Sequence, residues 1–167
     1  MFPITALLLA FVLPASGAVH TTPTARTSSG LVTGFINQTT PNVAQFLGVP
    51  FAEDPVGILR WAPPVPKSGN GTINATAFGK NCPQFLLDEK TVYSEDAIGF
   101  ATPQNIGEDC LSVSIWAPAK QCTENSSLPV IAWLYGGGFG EGGANVPYQI
   151  PDKWVERSQK HIVVSMK

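Results

Sequence analysis

The residues best suited to chemistry in this chain are glycines. Tyr135-Gly136-Gly137-Gly138-Phe139 follows an unbroken apolar run at 129–135, which reads as a strand buried on both faces. Residues without a Cβ let consecutive main-chain N–H groups point at one spot and let a ligand approach closely. An oxyanion hole for acyl transfer is built this way from main chain. Taken alone, the run reads more readily as a flexible turn, which Gly140, Glu141, Gly142 and Gly143 extend. A phosphate-binding loop fails, because no Gly-Lys-[Ser/Thr] follows and no G-x-G-x-x-G opens a helix at the right distance. Two histidines, His20 and His161, and three cysteines cannot build a rich metal site, so no metal is expected.

The scaffold that must hold the glycines is bounded by composition. The chain has 167 residues, 44% apolar and 13% charged. That balance argues against disorder, and the length is enough for one domain with a sizeable core. Ten Lys+Arg against twelve Asp+Glu give a net charge of −2. No basic excess exists to neutralise phosphates, so nucleic acid is not an expected partner. Sixteen glycines and fifteen prolines suit a turn-rich fold without the G-X-Y period of collagen.

Residues 4–13 are apolar except Thr5, Pro14 breaks the run, and Ala15-Ser16-Gly17-Ala18 follows. Residues 1–17 therefore read as a secretory signal peptide cleaved after Gly17 or Ala18. No Lys or Arg precedes the run. It is too short to span a hydrocarbon core of about 30 Å, so no stable membrane insertion is expected. Four N-x-[ST] sequons, at Asn37, Asn70, Asn74 and Asn125, independently suggest an extracellular glycoprotein. Cys82, Cys110 and Cys122 leave one cysteine over and allow three single bridges. A Cys82–Cys110 bridge would be worth about 3.5 kcal/mol in the chain-entropy model.

Along the chain, residues 31–36 and 43–49 read as short strands joined by a turn at Pro41-Asn42. Residues 50–72 read as extended loop and 82–109 as irregular. Residues 111–116 alternate apolar and polar, as in a half-buried strand. Residues 152–160 read as a short helix and 162–164 as a buried strand. Strand, helix and strand over 130–164 make a βαβ unit with its strands in one parallel sheet.

Three linked strings carry a resemblance. Gly48-Val49-Pro50-Phe51-Ala52-Glu53, with Pro55-Val56-Gly57 and Leu59-Arg60-Trp61, is the first. Glu108-Asp109-Cys110-Leu111, with Ser114-Ile115-Trp116, is the second, and Tyr135-Gly136-Gly137-Gly138-Phe139 is the third. In this order and spacing they resemble the type B carboxylesterase/lipase family, which includes the cholinesterases. The resemblance spans about residues 30–166 and implies an α/β fold. This would be the N-terminal portion of an α/β-hydrolase, with small antiparallel strands followed by the first strands of a mostly parallel central sheet.

The resemblance implies roles as well. Gly137 and Gly138 match the oxyanion-hole glycines, and Cys82 and Cys110 match the family's first disulfide. Arg60 and Glu108 match a buried ion pair, whose rupture would strand a charge. Solvated surface is the alternative for those two. The loop between the cysteines holds no tryptophan to serve as a cation–π partner, so choline recognition is not expected. Phe85, Tyr93 and Phe100 are its aromatics and read as packing residues.

The departure from the family lies in what hydrolysis would require. A serine at a G-x-S-x-G elbow, then an acid, then a histidine are needed. No G-x-S-x-G occurs in these 167 residues, and Ser68 and Ser158 sit in no elbow. His20 lies beside the cleavage site, and His161 precedes any nucleophile. Residues 18–167 are therefore expected to be a partial carboxylesterase type B domain, truncated before the nucleophile elbow. The expected activity is that of a parent hydrolase of ester or lipid small molecules, and the hydrolytic mechanism implied by the resemblance needs no cofactor. A non-catalytic binding or adhesion protein of the same fold and an inactive short product are the alternatives. In the family's sheet order a later strand flanks 130–135, so the strand here should present an apolar, unpaired edge.

Overall fold

The computed structural model describes residues 22–85, 91–103, 105–122 and 127–167. In chain order the strands are β1 (Thr24–Thr27), β2 (Gly30–Thr33), β3 (Phe35–Ile36), β4 (Val43–Pro50), β5 (Thr72–Asn74), β6 (Ser112–Pro118), β7 (Val130–Leu134) and β8 (Ile162–Met166). Among the described residues two α-helices accompany them, α1 (Val92–Glu95) and α2 (Asp152–Ser158). Strands β1, β2 and β5 form a small sheet, and the other five form a sheet of order β3-β4-β6-β8-β7. Its pairs are antiparallel except β7 and β8, which run parallel with α2 between them in sequence. Residues 1–21, including the expected leader, and Asn125 lie outside the described residues.

Two core clusters sandwich the larger sheet. On one face Val43, Leu47, Trp116 and Val163 pack with Val155 of α2. On the other, Ala44, Phe46 and Val49 pack with Val32 of β2 and Ala75 just after β5. Strict alternation along β4 would put Val49 with Val43 and Leu47. The register shifts between Phe46 and Val49, where Gly48 has φ +68°, and this irregularity returns Val49 to the face of Ala44 and Phe46. The helix is pinned to the turn before β4 by Glu156, whose carboxylate accepts from the Asn42 N–H at 2.9 Å and from Asn42 Nδ2 at 2.6 Å.

Several sequence expectations are corrected. Residues 31–36 are not one strand, because the chain leaves the small sheet after Thr33 and enters the large one at Phe35. Gly34 makes the crossing against β4, where a Cβ would lie 2.3 Å from the Gln45 carbonyl oxygen. Strand β6 alternates, but with Ser112 and Ser114 fully buried beside Trp116, while Val113 and Ile115 are half-buried against the other cluster. Ser114 is tolerated inside because its Oγ accepts from the Gly48 N–H at 3.2 Å. Strand β7 is not buried on both faces: Val130 is 60% and Leu134 70% exposed. Among the described residues it pairs with β8 alone and forms the edge of the sheet. Apolar composition alone does not distinguish such an edge strand from a central one.

Candidate active site

The glycine run leaves the C-terminal end of β7. In α/β sheets with parallel strands, ligands gather at the carboxyl ends. Gly137 has φ +150°, Gly138 +59° and Phe139 +62°. The Gly137 carbonyl accepts from the N–H groups of Gly140 at 3.0 Å and Glu141 at 3.1 Å, closing a tight turn. A Cβ on Gly137 would lie 1.8 Å from the Glu141 carbonyl oxygen, whereas a Cβ on Gly138 would meet none of the described residues within 4 Å. Among the described residues, no main-chain carbonyl accepts from the N–H of Gly136, Gly137, Gly138 or Phe139.

These glycines border a cavity of about 410 Å³, with residues 135–142 on one side and Cys82, Pro83 and Gln84 on the other. Cys82 and Cys110 are joined by a disulfide with a Cα–Cα distance of 5.1 Å. Cys110 is buried at the entry to β6, so the bridge ties the second wall to the central sheet. Among the described lining residues Glu141 is the one with a charged side chain, and it is exposed.

Arg60 and Glu108 form an ion pair, but their side chains are 51% and 39% exposed. The expectation of a buried pair is corrected on this point, and water screens the attraction. Both residues line a separate groove with Trp61, beside the disulfide. Phe85 is largely exposed rather than packed, while Phe100 stacks on Tyr148 with ring centroids 4.4 Å apart. The side chains of Tyr93 and Cys122 lie outside the described residues.

Ser158 and His161 are brought together at the end of α2, with Oγ 3.0 Å from Nδ1. They are not a catalytic pair for this cavity: neither lines it, and the His161 Nε2 is buried with no hydrogen-bond partner among the described residues. Trp154 packs on the imidazole at 4.4 Å. Asn37, Asn70 and Asn74 are all exposed. Among the described residues no three His, Cys, Asp or Glu side chains gather as metal ligands, and no helix is long and apolar enough to cross a membrane.

Sequence reasoning missed Gln84. Its Oε1 accepts from the Gly142 N–H at 2.7 Å, and its Nε2 donates to the Gly142 carbonyl at 3.0 Å. The signal available was only a polar residue two places after a cysteine that the resemblance had put in a bridge.

The family model described as "Carboxylesterase family" matches residues 21–167. The chain belongs to the carboxylesterase family. A chlorogenic acid esterase of Aspergillus niger is 47% identical over 161 residues, covering 89% of this chain and 31% of the relative. Secreted lipase 5 of Gibberella zeae is 43% identical, covering 84% of this chain and 29% of the relative. A thermophilic pNB esterase superposes with a TM-score of 0.71 at 28% identity, over 88% of this chain and 28% of that one. The fold is thus that of an α/β-hydrolase. This carboxylesterase-family chain spans under a third of the length of those relatives.

Proposed function

We propose that these residues are the N-terminal part of a secreted carboxylic ester hydrolase and supply the main-chain donors of its oxyanion hole. The observation that carries the reading is the set of N–H groups at Gly136–Phe139, free of main-chain acceptors among the described residues and bordering a cavity. Gly137 and Gly138 would donate to the oxygen that becomes negative when a serine attacks an ester carbonyl, with the N–H after that serine as a third donor. Such donors act in the transition state and cost no reorganisation at that moment. The serine, the acid and the histidine base would come from outside residues 1–167, which contain no G-x-S-x-G elbow. The substrates would be small esters or lipids. Export of relatives named as secreted lipases supports the same route here, with a leader at 1–17 and glycans on Asn37, Asn70, Asn74 and Asn125.

The test is to sequence the transcript beyond codon 167, express the whole product and assay p-nitrophenyl ester hydrolysis for wild type and Gly137→Ala. Alanine keeps the N–H, but its Cβ would collide with the Glu141 carbonyl and push the donor off the oxyanion. Loss of one donor typically costs about 10²–10³ in kcat, and a fall approaching that size is expected. A frame without a serine elbow, or a Gly137→Ala enzyme as fast as wild type, would refute the reading. The first of those results would favour a binding role for the fold.

A further inference from the structure

We propose that Gln84 is the positioning residue of the glycine loop: its side-chain amide clamps Gly142 and thereby holds the Gly137 and Gly138 N–H groups at the cavity. The proposal rests on the oxyanion reading of those two glycines and adds a residue to it. One amide satisfies both main-chain groups of Gly142, with Oε1 accepting at 2.7 Å and Nε2 donating at 3.0 Å. Nε2 also donates to the Cys82 carbonyl at 3.1 Å, within the wall that carries Gln84. This partner set fixes the sense of the amide, because a flipped one would oppose donor to donor and acceptor to acceptor. The next residue strengthens the seam, since the Phe85 N–H donates to the Gly140 carbonyl at 3.2 Å.

The clamp reaches the donors through one peptide unit. The Glu141 carbonyl, bonded to Gly142, occupies the space that a Gly137 side chain would need, and the Glu141 N–H donates to the Gly137 carbonyl at 3.1 Å. Where Gly142 is held, Glu141 and hence Gly137 are held. The loop needs such an anchor: residues 136–141 are exposed, and a glycine-rich stretch loses more conformational entropy than any other when fixed. The Cys82–Cys110 bridge gives the anchor its footing, since Gln84 is two residues from a cysteine tied to the entry of β6.

The experiment uses the whole product of the reading frame containing this chain, with Gln84→Met and Gln84→Glu. Met keeps length without hydrogen bonds. Glu keeps an acceptor for the Gly142 N–H but turns a second oxygen toward the carbonyls of Gly142 and Cys82. Misplacement of catalytic groups by about 1 Å costs about 100-fold. The expected result is a kcat on p-nitrophenyl acetate about 10- to 100-fold below wild type, with KM changed less than about twofold. Glu should be the worse of the two, and hydrogen exchange of the Gly140 and Glu141 amides, which donate to the Gly137 carbonyl, should be faster in both. A purely structural role would lower the yield or the melting temperature while leaving kcat per folded enzyme intact. Wild-type kcat in either variant, or unchanged exchange at Gly140 and Glu141, overturns the proposal. If wild type hydrolyses nothing, the oxyanion reading fails and exchange alone decides the clamp: faster exchange upholds it and unchanged exchange overturns it. Should neither variant fold, Gln84→Asn, which withdraws the amide by one methylene, carries the same test.

Discussion

Gly137 and Gly138 are neighbours with positive φ, yet they are glycine for different reasons. At Gly137 a side chain has no room, because the Glu141 carbonyl fills its place. At Gly138 there is room, and only the left-handed backbone disfavours a Cβ, at about 1–2 kcal/mol. Gly138→Ala should therefore keep much more of the loop geometry than Gly137→Ala. Comparison of the exchange rates of the Gly140 and Glu141 amides, which donate to the Gly137 carbonyl, in the two variants checks this, and equal disturbance would contradict the steric account. A second residue is informative through its charge. Burial lowers the Lys167 pKa to about 8, against 10.5 for the free side chain, while its Nζ donates to the carbonyls of Gly79 at 2.5 Å and Lys80 at 3.1 Å. Between about pH 8 and 10.5 the unfolded chain binds more protons at this site than the folded one, so stability should rise with pH across that window. Below pH 8 both states are protonated and the burial penalty is fully present. Urea midpoints for wild type and Lys167→Met should diverge in slope over that window, and parallel curves would show that the ammonium is not desolvated.

Among the elements, the segment between Cys82 and Cys110 has little regular structure of its own, and the bridge ties it to β6. Closing a loop of this size removes unfolded-state entropy worth about 3.5 kcal/mol. Cys110→Ser should lower stability by about that amount and loosen residues 136–142 as well, because Gln84 loses its footing. A denaturant series read by both fluorescence and exchange separates the two effects. The same scale shows what the sequence made legible. Strands β4, β6, β7 and β8 and helix α2 were readable because each carries an apolar run or an apolar face longer than a turn. β1 was not, because Thr24–Thr27 is exposed throughout and polar, leaving no hydrophobic period to read. β5 was hidden for a related reason: its three residues hold one apolar side chain, Ile73, between exposed neighbours. Gly137 and Gly138 were visible through a motif. Gln84 was not, since its role depends on which main chain the disulfide brings opposite it, a tertiary fact with no local signature. The exposure of Arg60 and Glu108 was unreadable for the same reason.

At the scale of the whole molecule, the edge of the larger sheet dominates. β7 offers Val130, Trp133 and Leu134 at 45–70% exposure, along an edge that pairs with nothing beyond β8 among the described residues. Phe139, Tyr148 and Trp154 are also more than half exposed. Natural sheets blunt such edges with charge, proline or a covering element, and β7, reading Val-Ile-Ala-Trp-Leu, has none of the charge or proline. Its main-chain N–H and C=O groups are then free to template a second copy, and burial of the apolar side chains adds a driving force of about 25 cal/mol per Å². Expressed as 167 residues alone, the chain should be retained in cells or form soluble aggregates. Val130→Lys, at an exposed position on that edge, should raise the monomeric fraction without touching the two core clusters. Size-exclusion chromatography with light scattering reads the outcome directly. A monodisperse wild-type monomer with a sharp, cooperative melt would mean that the sandwich built on Trp116 and Val155 is self-sufficient and that the edge is harmless. A fall in aggregation on charging Val130 would instead identify β7 as the surface that the remaining length of a full carboxylesterase fold has to cover.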